Sequence, residues 1–405
     1  MILRNLAGIF TGEGFAKCDG RRVRESDCGF IKGPVDLIIR DGRVTQIGAG
    51  LPRDDPEMDA SGRIALPGFV DPHTHAIFAG ERSAEFFMRW AGRTYLEITQ
   101  AGGGIHSTVR ATAKVDDESL RLSLVDRLRR MRSLGSTMVE VKSGYAPSAD
   151  GELRLLRLIR SAAAEKDVPL VRASCLALHA LPPGRDEAGY VDEMITALET
   201  IARERLADQV DTFPERGFFT LDSALRFSDA AGRLGLPCKV HADELCDLGS
   251  SGEFIRAGAL SVDHLQHIND QAVEMLADSP TVATLLPATS FFVGIPYANA
   301  RRLIDAGARV ALATDFNPGT APAMDLQLTH MLAASQLKMT ASEILCASTY
   351  NAAAALGLES MHGALLPGRV GHVLLYDASS EVSDDGMPEL QRIVLSRTAP
   401  TRVIA

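Results

Sequence analysis

Hydrophobic and polar positions follow two different patterns along the chain. The middle contains eight short, nearly continuous apolar runs, which is the pattern of strands buried on both faces. Helical periodicity fills the gaps between them, for example over residues 117–134, 150–163 and 299–308. This alternation predicts a parallel sheet covered by helices, and the count favours a (β/α)8 TIM-like barrel over an open doubly wound sheet. The apolar runs span residues 68–71, 137–141, 170–178, 208–213, 238–242, 259–265, 281–287 and 309–315.

The two ends of the chain have a different pattern, in which apolar and polar residues alternate. Residues 35–48 alternate around Asp41-Gly42, a strong signal for a β-hairpin. Residues 371–377 and 393–405 also read as strands. We therefore expect residues 1–66 and 358–405 to form one small sheet domain, and residues 67–357 to form the barrel.

Composition narrows the classes of partner. The 405 residues include 52 acidic and 42 basic side chains, a balance that argues against nucleic acid or an anionic membrane surface. The chain shows no apolar run of transmembrane length, and its first residues are a poor match to a signal peptide. Its six cysteines show no Cys-x-x-Cys pair, which indicates reduced thiols. We expect a cytoplasmic protein that acts on a small molecule.

Polar side chains collect at the carboxyl ends of the predicted strands. His73 and His75 are one residue apart, so on a strand they point the same way. In a (β/α)8 barrel the carboxyl ends of all strands meet at one rim, where the chemistry takes place. The polar residues at this predicted rim are His73, His75, His179, His241, Glu244, His264 and Asp315.

Three imidazoles and a carboxylate among these residues suit a metal ion. The candidate ligands are His73, His75, His241 and Asp315. This set accepts Zn²⁺ and also iron, and an ion held this way lowers the pKa of a water toward ~7. The pattern therefore predicts metal-assisted hydrolysis, with His264 outside the ligand set as a group that can take or pass a proton.

Whether the site holds one metal ion or two depends on the role of Lys142. A lysine at this place suggests a carbamylated bridge between two metals. Glu140 lies on the same face of the predicted strand, however, so a structural ion pair inside the barrel is the better interpretation. We therefore expect one divalent metal ion.

Several segments resemble the amidohydrolase superfamily of metal-dependent barrel hydrolases. They are PGFVDPHTH from residue 67, KVHADEL from 239, SVDHL from 261 and ATDFNPG from 313. Longer segments at 79–105, 140–146, 176–183, 241–251 and 312–322 are similar to the branch that opens the lactam ring of 4-imidazolone-5-propanoate. The resemblance implies a flanking β-sandwich, one Zn²⁺ or Fe²⁺/Fe³⁺ ion, a homodimer, and hydrolysis of that ring to N-formimidoyl-L-glutamate in histidine degradation.

The same resemblance assigns roles to individual residues. It maps the metal ligands onto the four candidates above. It implies substrate contacts at Arg82, Tyr145, His179, Asn317, Gly319 and Thr320, and proton and tautomer chemistry at His264 and Glu244, with Asp315 close to the water. Arg82 suits this role chemically because a carboxylate needs a planar cationic fork. Tyr95 is expected to border the pocket, with less support.

Two other functions remain alternatives. A nucleobase deaminase of the same superfamily shares the metal ligands, but Arg82 and the 317–320 loop suit an acidic side chain that a neutral base lacks. A catalytically silent barrel used as a scaffold is the second. Scaffolds typically lose metal ligands, and all four are present here.

Overall fold

The computed structural model describes residues 1–52, 56–93, 97–98 and 102–405. Its strands are β1 (Ile2–Phe10), β2 (Phe30–Arg40), β3 (Arg43–Gly48), β4 (Glu57–Asp59), β5 (Arg63–Pro67), β6 (Phe69–Asp71), β7 (Ser136–Lys142), β8 (Leu170–Leu178), β9 (Gln209–Thr212), β10 (Lys239–Ala242), β11 (Ser261–His264), β12 (Val282–Leu285), β13 (Arg309–Leu312), β14 (Val373–Asp377) and β15 (Arg402–Ile404).

Helices occupy most of the connections. They are α1 (Glu13–Lys17), a 3-10 turn (Glu25–Cys28), α2 (Ser83–Trp90), α3 (Ile105–Lys114), α4 (Asp117–Ser133), α5 (Ala149–Ala163), α6 (Glu187–Arg203), α7 (Leu221–Arg233), α8 (Ser250–Arg256), α9 (Asp270–Asp278), α10 (Pro287–Val293), α11 (Ala300–Ala306), α12 (Leu326–Ser335), α13 (Ala341–Ala347), α14 (Tyr350–Ala354) and α15 (Met387–Leu395). Among the described residues, none of these helices is long and apolar enough to cross a membrane.

The eight apolar runs of the middle region form the barrel. Strands β6 to β9 pair in chain order as one parallel sheet, and β10 to β13 pair as a second. A bridge between Val210 and Cys238 joins the sheets at one seam. At the other seam the backbone N–H of His75 donates to the Phe316 carbonyl at 2.9 Å, and the Asp315 N–H donates to the His73 carbonyl at 3.1 Å. The (β/α)8 prediction is confirmed, and the open sheet is wrong.

The barrel strands and their helices follow the burial that their patterns predict. Every residue of β7 is buried, as is every residue of β9 to β13. Helix α4 buries Leu120, Leu124, Leu128 and Met131, the face that the sequence indicates. Its N-cap is Asp116, whose side chain accepts from the Ser119 N–H, and this cap satisfies a backbone donor that would otherwise be unpaired.

Both termini contribute to one mixed sheet, in the order β15-β14-β5-β1-β2-β3, with β4 beside β1. Asp41 and Gly42 form the predicted two-residue turn between β2 and β3, and both have the positive φ (49° and 72°) that this turn needs. The small sheet domain built from both ends is therefore confirmed. The boundaries that the sequence places at residues 66 and 358 stay a prediction.

The prediction of a strand over residues 393–405 is largely wrong. Helix α15 continues to Leu395, and only Arg402–Ile404 pairs with β14. Pro388 in the first helical turn favours a helix start, and Ile393 and Val394 then fall on its buried face. The short β-branched run was therefore predicted as a strand, although it forms the last turn of an amphipathic helix.

Candidate active site

The four candidate metal ligands meet at the carboxyl end of the barrel. His73 and His75 follow β6, His241 lies in β10, and Asp315 follows β13. Nε2 of His75 is 3.4 Å from Nε2 of His241 and 3.4 Å from Oδ1 of Asp315. Nε2 of His73 is 3.5 Å from the same Asp315 oxygen. All four side chains are buried, so four donor groups from distant parts of the chain surround one point.

The arrangement fits a divalent metal ion. Nε2 of His73 is buried at this point and has no hydrogen-bond partner within the described part of the chain. A buried nitrogen without a partner costs about 1–3 kcal/mol, and a metal ion would satisfy it. Nitrogen atoms of three histidines lie within 4.8 Å of one another, and Asp315 adds an oxygen beside them. Imidazole nitrogens and a carboxylate oxygen are ligands that zinc and iron both accept.

Carboxylates behind the histidines fix their tautomers. Nδ1 of His73 donates to Asp263 at 2.6 Å, and Nδ1 of His241 donates to Asp211 at 3.2 Å. Each ring therefore presents Nε2, its unprotonated nitrogen, to the centre of the site. Burial also lowers the pKa of both histidines, so they are neutral at physiological pH. Neutral imidazole is the form that binds a metal.

Two buried lysines form ion pairs with the carboxylates that contact the histidines. The Lys142 ammonium lies 2.7 Å from Glu140 and 2.5 Å from Asp211. Lys239 lies 3.2 Å from Glu140 and 3.3 Å from Asp263. The predicted ion pair between Lys142 and Glu140 is thus confirmed, and Lys142 is held as an ammonium ion because Asp211 and Glu140 outweigh burial and raise its pKa.

The charges in this network suit a single divalent ion. Its three carboxylates and two ammonium groups leave one negative charge. Asp315 adds a second. Burial alone would raise the pKa of Asp315, but the hydrogen bonds with His75 and Thr289 and the nearby charge of His264 together outweigh burial and lower that pKa, so the carboxylate is ionised. Two negative charges against one divalent cation leave the buried centre neutral, which is the state that a low-dielectric interior favours.

His264 and Glu244 lie side by side next to the candidate metal ligands. The ring of His264 stacks on that of His241 with centroids 5.1 Å apart, and its Nδ1 is 3.5 Å from Oε1 of Glu244. Burial raises the pKa of Glu244. His264 and Leu265 both have positive φ, 82° and 68°, a strained backbone that costs about 1–3 kcal/mol per residue and is common at functional sites.

Tyr145 and His179 form one wall. Nδ1 of His179 donates to the Gly144 carbonyl at 3.2 Å, which leaves Nε2 to accept a hydrogen bond from a ligand. The ring stacks on His75 with centroids 5.0 Å apart. Burial raises the pKa of Tyr145, so its phenol remains a neutral donor. The Gly144 N–H donates to Glu152 at 3.0 Å, and this contact anchors the turn that carries Tyr145.

The loop after β13 is organised by Asn317. Its Oδ1 accepts from the N–H groups of Gly319 and Thr320, both at 2.8 Å. Its Nδ2 donates to the Asp315 carbonyl and to the Thr320 hydroxyl, both at 2.7 Å. The Asn317 amide and the two backbone donors are therefore occupied within the loop. The Thr320 hydroxyl proton remains for a ligand, so this is the group of the loop best placed to donate.

Arg82 lies beside this loop, in the wall of the same cavity. Its Nε and Nη2 donate to Glu85 at 3.0 and 2.8 Å, so one edge of the guanidinium is already used. The cavity has a volume of about 460 Å³ and contains Arg82 together with the candidate metal ligands His75, His241 and Asp315 in its wall. Positive charge and a candidate metal centre thus share one pocket.

Several wall residues were not found from the sequence. They are Arg89, Ile105, Phe213, Arg216, Phe218, Leu245, Val293 and Ile295. Arg89 lies seven residues after Arg82, and a helix brings residues with this spacing to the same face. The sequence could therefore have indicated Arg89 as a second arginine beside the site. The aromatic residues Phe213 and Phe218 follow β9. The loops that follow barrel strands lie at the end of the barrel where active sites are found. Tyr95 lies outside the described residues.

This combination of fold and site defines a metal-dependent hydrolase of the barrel type. The model of the amidohydrolase family matches residues 64–386. A solved structure with the same fold is atrazine chlorohydrolase from Arthrobacter aurescens TC1, complexed with zinc. It is 17% identical, with a TM-score of 0.71 over 97% of this chain and 91% of that chain.

Relatives with more similar sequences indicate which branch of this hydrolase class the chain resembles. The imidazolonepropionase of Caldanaerobacter subterraneus is 39% identical over 387 residues, 93% of this chain and 91% of the relative. That of Paracoccus denitrificans is 42% identical over 350 residues, 84% and 87% of the two chains. The chain belongs to the amidohydrolase family and, within it, to the imidazolonepropionases.

Proposed function

We propose that the protein hydrolyses the ring lactam bond of 4-imidazolone-5-propanoate to give N-formimidoyl-L-glutamate, a step of histidine degradation. The observation that carries the proposal is the pairing of a three-histidine, one-carboxylate centre with Arg82 in a single cavity. The substrate has the two matching features, a ring amide and a carboxylate side chain. Relatives over most of the chain have the corresponding name.

The reaction requires the transfer of one proton from water to the departing ring nitrogen. Water adds hydroxyl to the ring carbonyl carbon, the C–N bond breaks, and the departing nitrogen takes a proton. When bound, a divalent ion at His73, His75, His241 and Asp315 would polarise the carbonyl and acidify the water. His264, beside this set, is the group that takes the proton from water and returns it to the nitrogen.

Other side chains bind and orient the substrate. Arg82 pairs with the propionate, and the Tyr145 phenol and Thr320 hydroxyl donate hydrogen bonds at the wall of the cavity. The free Nε2 of His179 accepts from a ring N–H. Glu244, whose pKa is raised by burial, is placed beside His264 to select the ring tautomer.

We propose a single Zn²⁺ or iron ion as the cofactor. The donor set accepts either metal, and the charge balance of the buried network supports one ion rather than two. Elemental analysis of the purified protein is expected to give about one metal per chain. Two metals per chain would contradict the assignment.

The function is tested with imidazolone propionate generated in situ. We expect its ring absorbance to disappear with formation of the formimidoyl product. Guanine and cytosine are the controls, since a deaminase would release ammonia from them. Ammonia release, without turnover of imidazolone propionate, would establish the deaminase alternative.

A further inference from the structure

A carboxylate lies between two guanidinium groups beside the cavity. Glu85 accepts hydrogen bonds from Arg82, and its Oε2 is also 3.8 Å from Nη2 of Arg89. The side chains of Arg82, Glu85 and Arg89 are 10%, 9% and 15% exposed. We call these three residues of the α2 region the arginine–glutamate triad. Both arginines line the cavity wall, and Glu85 lies behind them.

The charge of the triad suits a ligand carboxylate. Two guanidinium groups and one carboxylate give the three residues together a net charge of one positive unit in a largely buried position. Positive charge at a largely buried place is stabilised when an anion approaches it. A substrate with one carboxylate supplies such an anion, whereas a neutral ligand does not.

The orientation of Arg82 is set on one side by Glu85. Glu85 occupies the edge of the guanidinium formed by Nε and Nη2, which leaves the edge formed by Nη1 and Nη2 for a second carboxylate. Glu85 is itself fixed, because the Gly104 N–H donates to its Oε1 at 3.1 Å. The plane of the guanidinium therefore follows the position of the Glu85 carboxylate.

Gly319 sets the orientation from the other side. A Cβ atom on Gly319 would lie 2.0 Å from Nη1 and 2.4 Å from Cζ of Arg82. The glycine does not have a left-handed φ, so space and not backbone geometry requires it. Its carbonyl accepts from Nη2 of Arg89 at 2.7 Å, which ties the loop after β13 to the triad.

We propose that Glu85 and Gly319 are positioning residues that together aim Arg82 at a ligand carboxylate, and that Arg89 supplies the second positive charge. They make the cavity selective for ligands with an acidic side chain. The identity of the substrate rests on the proposed function, but the preference for a carboxylate can be measured by binding alone.

Two substitutions that conserve charge test this. Glu85→Asp keeps the carboxylate and withdraws it from Arg82, and Gly319→Ala places a methyl group where the guanidinium lies. The probes are 3-(imidazol-4-yl)propanoate and its carboxamide, titrated by calorimetry into the metal-loaded protein. The ratio of their two dissociation constants isolates the contribution of the carboxylate, because both probes present the same imidazole.

We expect the wild-type protein to bind the carboxylate about ten- to a hundredfold more tightly than the amide, the range of a hydrogen bond to a charged group. Each variant should lower this ratio about tenfold and leave the Kd of the amide within about twofold. If imidazolone propionate is turned over, KM should rise by a similar factor, with kcat within about threefold.

Two control variants make the same chemical changes away from the cavity. Glu253→Asp alters an exposed pair with Arg256 that has the same spacing of three residues. Gly232→Ala adds a methyl group where no atom lies within 4 Å, apart from those of its chain neighbours and of its own helix backbone. Both controls should keep the wild-type ratio.

A wild-type ratio in a folded Gly319→Ala or Glu85→Asp variant would overturn the proposal. If one variant does not fold, as judged by its circular dichroism, the other decides. A protein that prefers the carboxylate but leaves imidazolone propionate intact would support the triad and contradict the proposed function, so the two failures are distinguishable.

Discussion

The floor and the rim of the cavity are built in different ways. The floor consists of strand ends, and its ionic groups, such as Lys142 and Lys239, are completely buried. The rim consists of α2 and loops, where Arg82 and Arg89 keep 10% and 15% exposure and Leu245 is 49% exposed. The floor holds its charges by mutual pairing, while the triad at the rim has one more guanidinium than carboxylates. We infer that the floor fixes the chemistry and the rim selects the ligand.

The strongest test of this comparison removes a metal ligand from the floor. His241→Ala should abolish both metal binding and measurable activity, because one of three imidazoles is lost. The fold should remain, since His241 contributes one side chain to a large core. Metal content by elemental analysis and turnover give the answer. Full metal occupancy in this variant would remove His241 from the ligand set.

The next test removes proton transfer and keeps the metal. An asparagine side chain can donate a hydrogen bond but cannot carry a proton. His264→Asn should therefore lower kcat by ~10²–10⁴, the usual contribution of general acid–base catalysis, at unchanged metal content. A variant with most of its kcat and the same pH profile would show that His264 only orients its neighbours.

A third test separates buried from exposed ion pairs. Lys142→Met leaves Glu140 and Asp211 without their cation and should lower the free energy of unfolding by about 3–5 kcal/mol. Lys17→Met breaks an exposed pair with Glu13 and should cost less than about 1 kcal/mol. Denaturant unfolding measures both values. Equal losses would mean that the floor does not depend on its charge network.

At the rim we expect a smaller effect that is confined to ligand binding. Arg82→Lys keeps the charge but loses the planar fork, so kcat/KM should fall about tenfold, mainly through KM. Arg256→Lys, at an exposed position away from the cavity, is the control. Unchanged kinetics in Arg82→Lys would place the carboxylate elsewhere.

The last test concerns pH and Glu152, the buried residue that anchors the Tyr145 turn. Burial raises its pKa to about 7, from 4.5 in an exposed side chain. The folded state therefore binds the proton more tightly than the unfolded state, and stability is full below pH 4.5 and declines as the pH rises to about 7. Glu152→Gln has no proton to lose. The stability difference between wild type and variant should shift by about 1–3 kcal/mol between about pH 4.5 and pH 8, in favour of the variant.

Denaturant unfolding at the two pH values measures this difference. The comparison with Glu152→Gln is needed because the pKa of Asp71 is also raised to about 7 and contributes to the wild-type slope. A constant difference between the two proteins would show that folding does not raise the pKa of Glu152.

The sequence predicted the floor better than the rim. Histidines and Asp315 at strand ends could be placed because the carboxyl ends of all strands meet at the same end of a barrel. Asp211 and Asp263 lay inside two predicted strands, but their contacts with His241 and His73 depend on which strands become neighbours across the barrel. Glu85 and Arg89 depend on how α2 packs against the loop after β13, which no local pattern specifies. The homodimer and the cytoplasmic location stay predictions.

The seam that closes the barrel has a consequence for unfolding. Its backbone contacts join His73 and His75, at the start of the ring, to Asp315 and Phe316, at its end. A metal ion held by His73 and Asp315 would link points of the chain that are about 240 residues apart, and closing so long a loop is entropically costly in the unfolded chain. Metal binding would therefore stabilise the closed barrel against unfolding. Added metal should raise the melting temperature with the logarithm of its concentration.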